Sequence, residues 1–295
     1  MDHSLTYFKY SNGVAVDSEV NIYVSNAGNR NAICKISCKG VATNLKNLRT
    51  TFENVHNRFQ SFNSPGGVAV GDDGRVYVAD RRNNLVREID DINSNVTNLG
   101  KNFVSKVNPK FKYPSGVAVD FARNVYVADT GNSLVRKIDA KTGNITKLGQ
   151  TFLDADHPSF KTPIGVAIDF SRNVYVADAG NNLVRKIDAK TGHVTNLGKH
   201  CVHNLIPAFK HPNGVAVDHQ GNVYVADTGN GLVRKIDSDG VVTNLGKNFL
   251  DERYTSFKTP TGVAVDSAGN VYVVDTGINF LSKIDAVTGD VTTIY

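Results

Sequence analysis

The chain has no tryptophan, one methionine and only three cysteines in 295 residues. Cys34, Cys38 and Cys201 are an odd, sparse set, which excludes a disulfide framework. Cys34 and Cys38 stand four apart, on a strand and the turn after it, and read as two free thiols rather than a metal or redox pair. No apolar run approaches the ~20 residues that span a bilayer, so no membrane span is expected. The start, Met1-Asp2-His3-Ser4-Leu5, lacks the basic segment and apolar core of a signal peptide. A complete chain of this kind is expected in the cytoplasm. Charge of one sign is also scarce in excess. Thirty-three basic against 28 acidic residues leave a net +5, which by itself does not imply nucleic acid.

What is present is repetition. Gly116-Val117-Ala118-Val119-Asp120, followed by Asn124-Val125-Tyr126-Val127-Ala128-Asp129, has close copies throughout. The opening glycines are Gly13, Gly67, Gly116, Gly165, Gly214 and Gly262, spaced 54, 49, 49, 49 and 48 residues apart by subtraction. A fixed period in this range marks a solenoid, propeller or array. Composition does not break between copies, so residues 1–295 read as a single domain with units starting near those six glycines.

The third unit shows the local logic. Val117 to Val119 and Val125 to Ala128 are short runs of β-formers separated by a turn in which Asx side chains can bond their own backbone. A second turn follows at Asp129-Thr130-Gly131-Asn132, with Gly131 or Asn132 expected to take the positive φ. Leu134 to Ile138 and Asn144 to Leu148 are the third and fourth strands, and four such strands make an antiparallel meander. Both faces of that sheet are apolar, which requires cover on both sides. Blades packed radially provide it, so the fold class is all-β: a six-bladed β-propeller with four antiparallel strands per blade. An open solenoid is the rival, but no unit resembles a polar capping repeat. Ala118 and its equivalents are expected to be small because blades converge near the axis.

Each unit is joined to the next by a connector ending in Phe-Lys-x-Pro or a variant. It reads Phe111-Lys112-Tyr113-Pro114 before the third unit, and Phe62-Asn63-Ser64-Pro65 before the second. The phenylalanine is expected to plug the space between blades, and the proline to open a strand. The chain begins at the end of a connector and stops on a fourth strand, Val291 to Ile294. Each blade can therefore be one contiguous unit, with no shared blade fastening the ring; Leu5 to Phe8 adding to the last blade is the other possibility.

The phrase Gly-Val-Ala-Val-Asp, Asn-Val-Tyr-Val-Ala-Asp-Thr-Gly-Asn, Leu-Val-Arg-Lys-Ile-Asp resembles the NHL repeat, most clearly at 116–149, 165–198 and 214–246. The resemblance implies a six-bladed propeller. Its family includes protein-binding scaffolds, RNA-binding domains and a peptide-amidating lyase with metals in its channel, so it does not choose a function.

The residues narrow that choice. Positions just before the strand glycines, where related enzymes hold a metal, are Asn12, Gly66, Ser115, Ile164, Asn213 and Thr261. None is a carboxylate or histidine, so no channel metal and no other cofactor is expected. His200, Cys201, His203 and His211 crowd one connector, a weak zinc set with no identifiable fourth ligand. The units at Asn124–Gly149 and Asn173–Gly198 differ at five of 26 positions. Near-identical blades repeat one group, whereas catalysis needs different groups in different roles. Asp80, Asp129, Asp178 and Asp227 each precede an arginine by seven residues, and these pairs are read as structural. Lys9, Lys112, Lys161, Lys210 and Lys258, with Arg81 and Arg82 of the second unit, should form a basic face where the connectors run. The favoured reading is a non-enzymatic module that binds a protein partner there. RNA or another polyanion on the same face, and a metal-dependent hydrolase or lyase at the channel mouth, are the alternatives.

Overall fold

The computed structural model describes residues 10–28, 31–45, 61–90, 95–100, 110–198, 208–246 and 256–295, with the backbone of 248–249. Six sheets stand around an axis, each with four antiparallel strands from one contiguous stretch in meander order. In the third blade the strands are Gly116–Val119, Val125–Asp129, Leu134–Ile138 and Ile145–Leu148. Pro65, Pro163, Pro212 and Pro260 are first residues of inner strands, where a missing N–H costs no ladder bond. Among the described residues no helix is long and apolar enough to cross a membrane.

The core is divided among the seams between blades. Phe111 packs with Ala69, Tyr77 and Val86 of blade two and with Val117, Val125 and Ile138 of blade three. The strand residues repeat this plan at each seam, including the one joining blade six to blade one through Val14, Val24, Tyr272 and Leu281, whose connector phenylalanine, Phe8, is outside the described residues. The ring thus closes by side-chain packing between two complete blades, with no shared sheet among the described residues. Leu5 to Phe8 lie outside those residues. Burying one such valine, leucine or phenylalanine is worth about 1.5–3 kcal/mol, so each seam is a substantial store of stability.

Three details depart from the sequence-based expectations. First, the alanines of the inner strands face tyrosines across the pair, Ala118 opposite Tyr126 and Ala167 opposite Tyr175. Their smallness admits a ring on the blade flank. Glycine stands where the backbones of neighbouring inner strands approach most closely. A Cβ on Gly116 would stand 2.3 Å from the Ile164 carbonyl oxygen, and one on Gly165 2.3 Å from that of Asn213. Second, the left-handed residue of the second-to-third-strand turn is Ser133, at φ 54°, rather than Gly131 or Asn132. Gly131 is required for a different reason: a Cβ there would lie 2.7 Å from both the carbonyl oxygen and Cγ of Lys112. Third, two blades carry a fifth strand. Thr151–Phe152 and Asn248–Phe249, from the connectors before blades four and six, pair in parallel with the outermost strands of those blades. Phe152 then meets Phe160 edge-on at 5.0 Å.

Every seam is also stapled from the same turn. Asn31, Asn84 and Asn182 each accept the backbone N–H of the next connector, at Ser64, Tyr113 and His211, all at 2.8 Å. Where serine or glycine replaces the asparagine, a threonine of the same turn takes over. Thr130 donates to the Pro163 carbonyl and Thr228 to that of Pro260, both at 2.6 Å. Asn279 accepts from Tyr10 at 3.4 Å across the closing seam.

Candidate functional site

In a meander the second-to-third-strand turns and the connectors emerge at the same end of the sheet. Backbone bonds join them here: Gly131 N–H to Lys112 O, Gly180 to Lys161 and Gly229 to Lys210. That end of the propeller is the candidate site.

Below this face lie the buried ion pairs. Arg136 Nε is 2.8 Å from Asp129 Oδ2, and neither side chain reaches solvent. Asp80–Arg87, Asp178–Arg185 and Asp227–Arg234 repeat the pair at 2.7–3.0 Å. Burial pushes the Asp129 carboxyl up from its ordinary value, opposed by Asn132, the Lys112 N–H and Arg136. Burial pushes the Arg136 guanidinium down, opposed by Asp129. Each carboxylate also accepts the N–H of its own connector residue, Lys112, Lys161 or Lys210 at 2.7–2.8 Å and Asn63 in blade two at 2.8 Å. The guanidinium lies over the connector phenylalanine, 5.5 Å from the Phe111 ring centre. The pairs therefore tie connector, turn and third strand together, as the structural reading of the sequence expects. Blade six lacks the arginine, and backbone N–H groups of Lys258, Thr259 and Gly277 serve Asp275 instead.

Above the pairs, Lys112, Lys161, Lys210 and Lys258 are exposed. Each stem lies across the glycine of its own turn, Gly131, Gly180, Gly229 or Gly277, leaving the ammonium in water. Blade two differs. Asn63 stands in the lysine position and Arg82 in the glycine position, so the cation has moved from connector to turn. An arginine Cβ and a lysine stem could not share that spot. Five blades thus present a positive group at one ring position among the described residues; Lys9, its counterpart in blade one, lies outside them. The carboxylates in the described connector segments are Asp154 and Asp156, and Asp154 is bonded to Asn196 and His157. The opposite face carries both signs: carboxylates of the other turns, such as Asp17, Asp120, Asp139 and Asp188, stand beside exposed Arg123, Lys141, Arg172 and Lys190. Tyr10 and Tyr113, 59% and 47% exposed, also stand on the connector face. The connector phenylalanines are buried at 3–7%, as expected of interblade plugs.

At the centre of the face a channel of about 180 Å³ opens. Its rim holds Asn12, Ser115, Asn213 and Thr261 together with Arg81, and six valines form the wall beneath. Arg81 therefore belongs to the channel as well as to the basic face, which sequence spacing alone could not show. Two amides, two hydroxyls and an arginine do not suit a hard cation, which wants several carboxylate or carbonyl oxygens and no adjacent positive charge. Of the weak zinc set, His211 is exposed on the face and His200, Cys201 and His203 lie outside the described residues. Among the described residues no three His, Cys, Asp or Glu groups gather as metal ligands.

A six-bladed propeller with a polar channel mouth and a cationic face is the class this geometry defines. The chain belongs to the NHL repeat family. The NHL repeat profile matches 62–89, 111–138, 209–236 and 257–282, which run from connector phenylalanine through third strand in blades two, three, five and six. No curated protein matches the chain by sequence. Among solved structures it is similar to virginiamycin B lyase from Staphylococcus aureus, with 13% identity over 96% of this chain and 83% of that one and a TM-score of 0.62. A gluconolactonase from Xanthomonas campestris aligns at 13% identity over 90% and 83%, with a TM-score of 0.65. An auxiliary nutrient binding protein from Bacteroides thetaiotaomicron aligns at 12% over 98% and 70%, with a TM-score of 0.66. At such identities the likeness extends to the fold.

Proposed function

We propose that the protein is a non-enzymatic binding module whose connector face engages an acidic protein partner. The observation that carries this reading is the recurrence of a cation at one position of the connector face. Exposed cations recur at one ring position on five blades, and blade two keeps the charge although it changes both residues that make it. Packing alone gives no reason to keep it, since neutral Asn63 fits the lysine position and the stapling bonds do not use the ammonium. A ring of like charges costs stability through repulsion, and an anionic partner offsets that cost. The face is also stiff, pinned to buried ion pairs and seam bonds, which suits recognition with little ordering on binding.

The fold neighbours include two enzymes and a binding protein, so likeness of fold does not choose. Among the described residues the channel rim holds no general acid, general base or metal-ligating carboxylate, which weighs against the hydrolase or lyase reading. RNA would use the same cations, with Tyr113 as a stacking surface. Tyr10 and Tyr113 are separated by a whole blade, however, and among the described residues of that face no run of exposed aromatics tracks a strand of bases. The test is capture of partners from cell extract with the wild-type chain and with Lys112, Lys161, Lys210 and Lys258 all changed to glutamine. The affinity of each captured protein is then measured by calorimetry. A partner that binds the wild type and loses at least about tenfold in affinity for the variant supports the reading. Equal binding to both, or an oligouridylate binding more tightly than any protein with a steep salt dependence, overturns it.

A further inference from the structure

A charged group on a polar rim above an apolar wall has a chemical meaning of its own. In blades three and five the position of Arg81 is threonine, and its hydroxyl is occupied by the seam bond to the next strand. In blade two Asn84 makes the seam bond to Tyr113, which releases position 81 from stapling. The residue placed there is an arginine that lines the channel mouth and whose guanidinium meets no carboxylate among the described residues. It is the one charged side chain of that lining among the described residues. Three blades away, on the opposite side of the axis, Asn213 also lines the mouth with its amide unpaired among the described residues. Asn12 and Thr261 have partners, the Pro65 and Ser11 carbonyls, and so hold the rim in shape. Below stand Val14, Val68, Val117, Val166, Val215 and Val263, a collar of branched methyl groups around the axis.

We propose that the channel mouth binds a small organic carboxylate, with the Arg81 guanidinium on the carboxylate and the valine collar around a short branched tail. A guanidinium presents two parallel N–H donors that match a carboxylate, and an apolar wall beneath keeps water from competing. The channel, at about 180 Å³, is smaller than the ~300 Å³ at which drug-sized sites begin, so the ligand is small. The site is separate from the lysine ring and does not depend on a protein partner.

The probe is 3-methylbutanoate, with 3-methylbutanamide as its uncharged counterpart, titrated into the full chain with methyl-labelled valine. The expected result is saturable binding with a dissociation constant of about 1 mM or below and shifts concentrated on the collar valines. The amide should bind at least about tenfold more weakly, as should Arg81→Thr, which installs the residue of blades three and five. Arg82→Ala and the four-lysine glutamine variant should bind as the wild type does. Absence of saturation, or shifts spread away from the collar, overturns the proposal. So does equal binding by Arg81→Thr, or an equal loss in Arg82→Ala, which would reveal a general positive field rather than a held carboxylate. The comparison of acid and amide on the unaltered chain keeps the test decisive should Arg81→Thr fold poorly.

Discussion

At the scale of single residues, the most consequential groups are those that cannot be changed alone. Arg136 and Asp129 are both out of water, so removing one leaves the other charge uncompensated. Arg136→Ser, the residue of blade six, should cost about 3–5 kcal/mol, read as a shift of the urea midpoint. The exposed change Arg82→Ala should stay within about 0.5 kcal/mol. Gly131 and Lys112 form a second coupled pair. Gly131→Ala should destabilise by about 1–3 kcal/mol, because its methyl meets both the stem and the carbonyl of Lys112. Lys112→Asn, copying Asn63 of blade two, should recover at least about 0.5 kcal/mol of that loss in a double-mutant cycle. Additivity would show that the exchange of lysine and glycine for asparagine and arginine in blade two is not steric. These couplings were only half legible in the sequence. The Asp–Arg spacing signalled a pair because both charges vanish together in blade one. The Lys–Gly pairing gave no such signal, since a glycine in a turn is read first as a need for positive φ. Only the path of the chain shows that its missing Cβ makes room.

At the scale of the element, blade two is again the exception. In the other five blades the first turn opens with an aspartate, such as Asp120. It accepts backbone N–H groups, the Asn124 amide at 2.8 Å and the Tyr126 hydroxyl at 3.1 Å. Blade two has Gly71 and Arg75 at the Asp and Asn positions, and the Tyr77 hydroxyl is left buried with no partner among the described residues. Gly71→Asp with Arg75→Asn should rebuild the network and stabilise the chain by about 1–2 kcal/mol, measured by urea unfolding. A neutral or destabilising result would mean that the half-buried Arg75–Glu88 contact, at 2.6 Å, is worth more than surface pairs usually are. The meander, the strand-opening prolines and the Asx turns could all be read from one unit, because each rests on local periodicity and turn chemistry. The fifth strands could not. Two residues of parallel pairing carry too little pattern to stand out in a connector, and their register is set by the blade they join.

At the scale of the whole molecule, repetition makes small effects sum. Tyr77, Tyr126, Tyr175, Tyr224 and Tyr272 sit on blade flanks with hydroxyls whose pKa burial pushes upward, and Tyr23 is pushed up to about 12. A raised folded value means that their contribution is complete below the unfolded pKa of about 10 and is lost as pH climbs past it toward the folded values. Stability should therefore fall steeply in base, and these six phenols should ionise together as the ring unfolds. Ultraviolet absorbance of tyrosinate followed alongside circular dichroism checks this, and tyrosinate appearing well before loss of the sheet signal would contradict it. The count of blades was legible because the period is; the face that acts was legible only in outline. Positions for the basic ring could be inferred, but Arg81 could be assigned to the channel only once the turns were placed around the axis.

The glycine hub carries one more implication. A centre with no room for a methyl group between neighbouring backbones can neither dilate nor contract by side-chain adjustment. Its bore is a fixed gauge. Whatever the protein admits at its middle is screened by the few groups at the orifice, and new selectivity would arise by exchanging those groups while the axle stays the same.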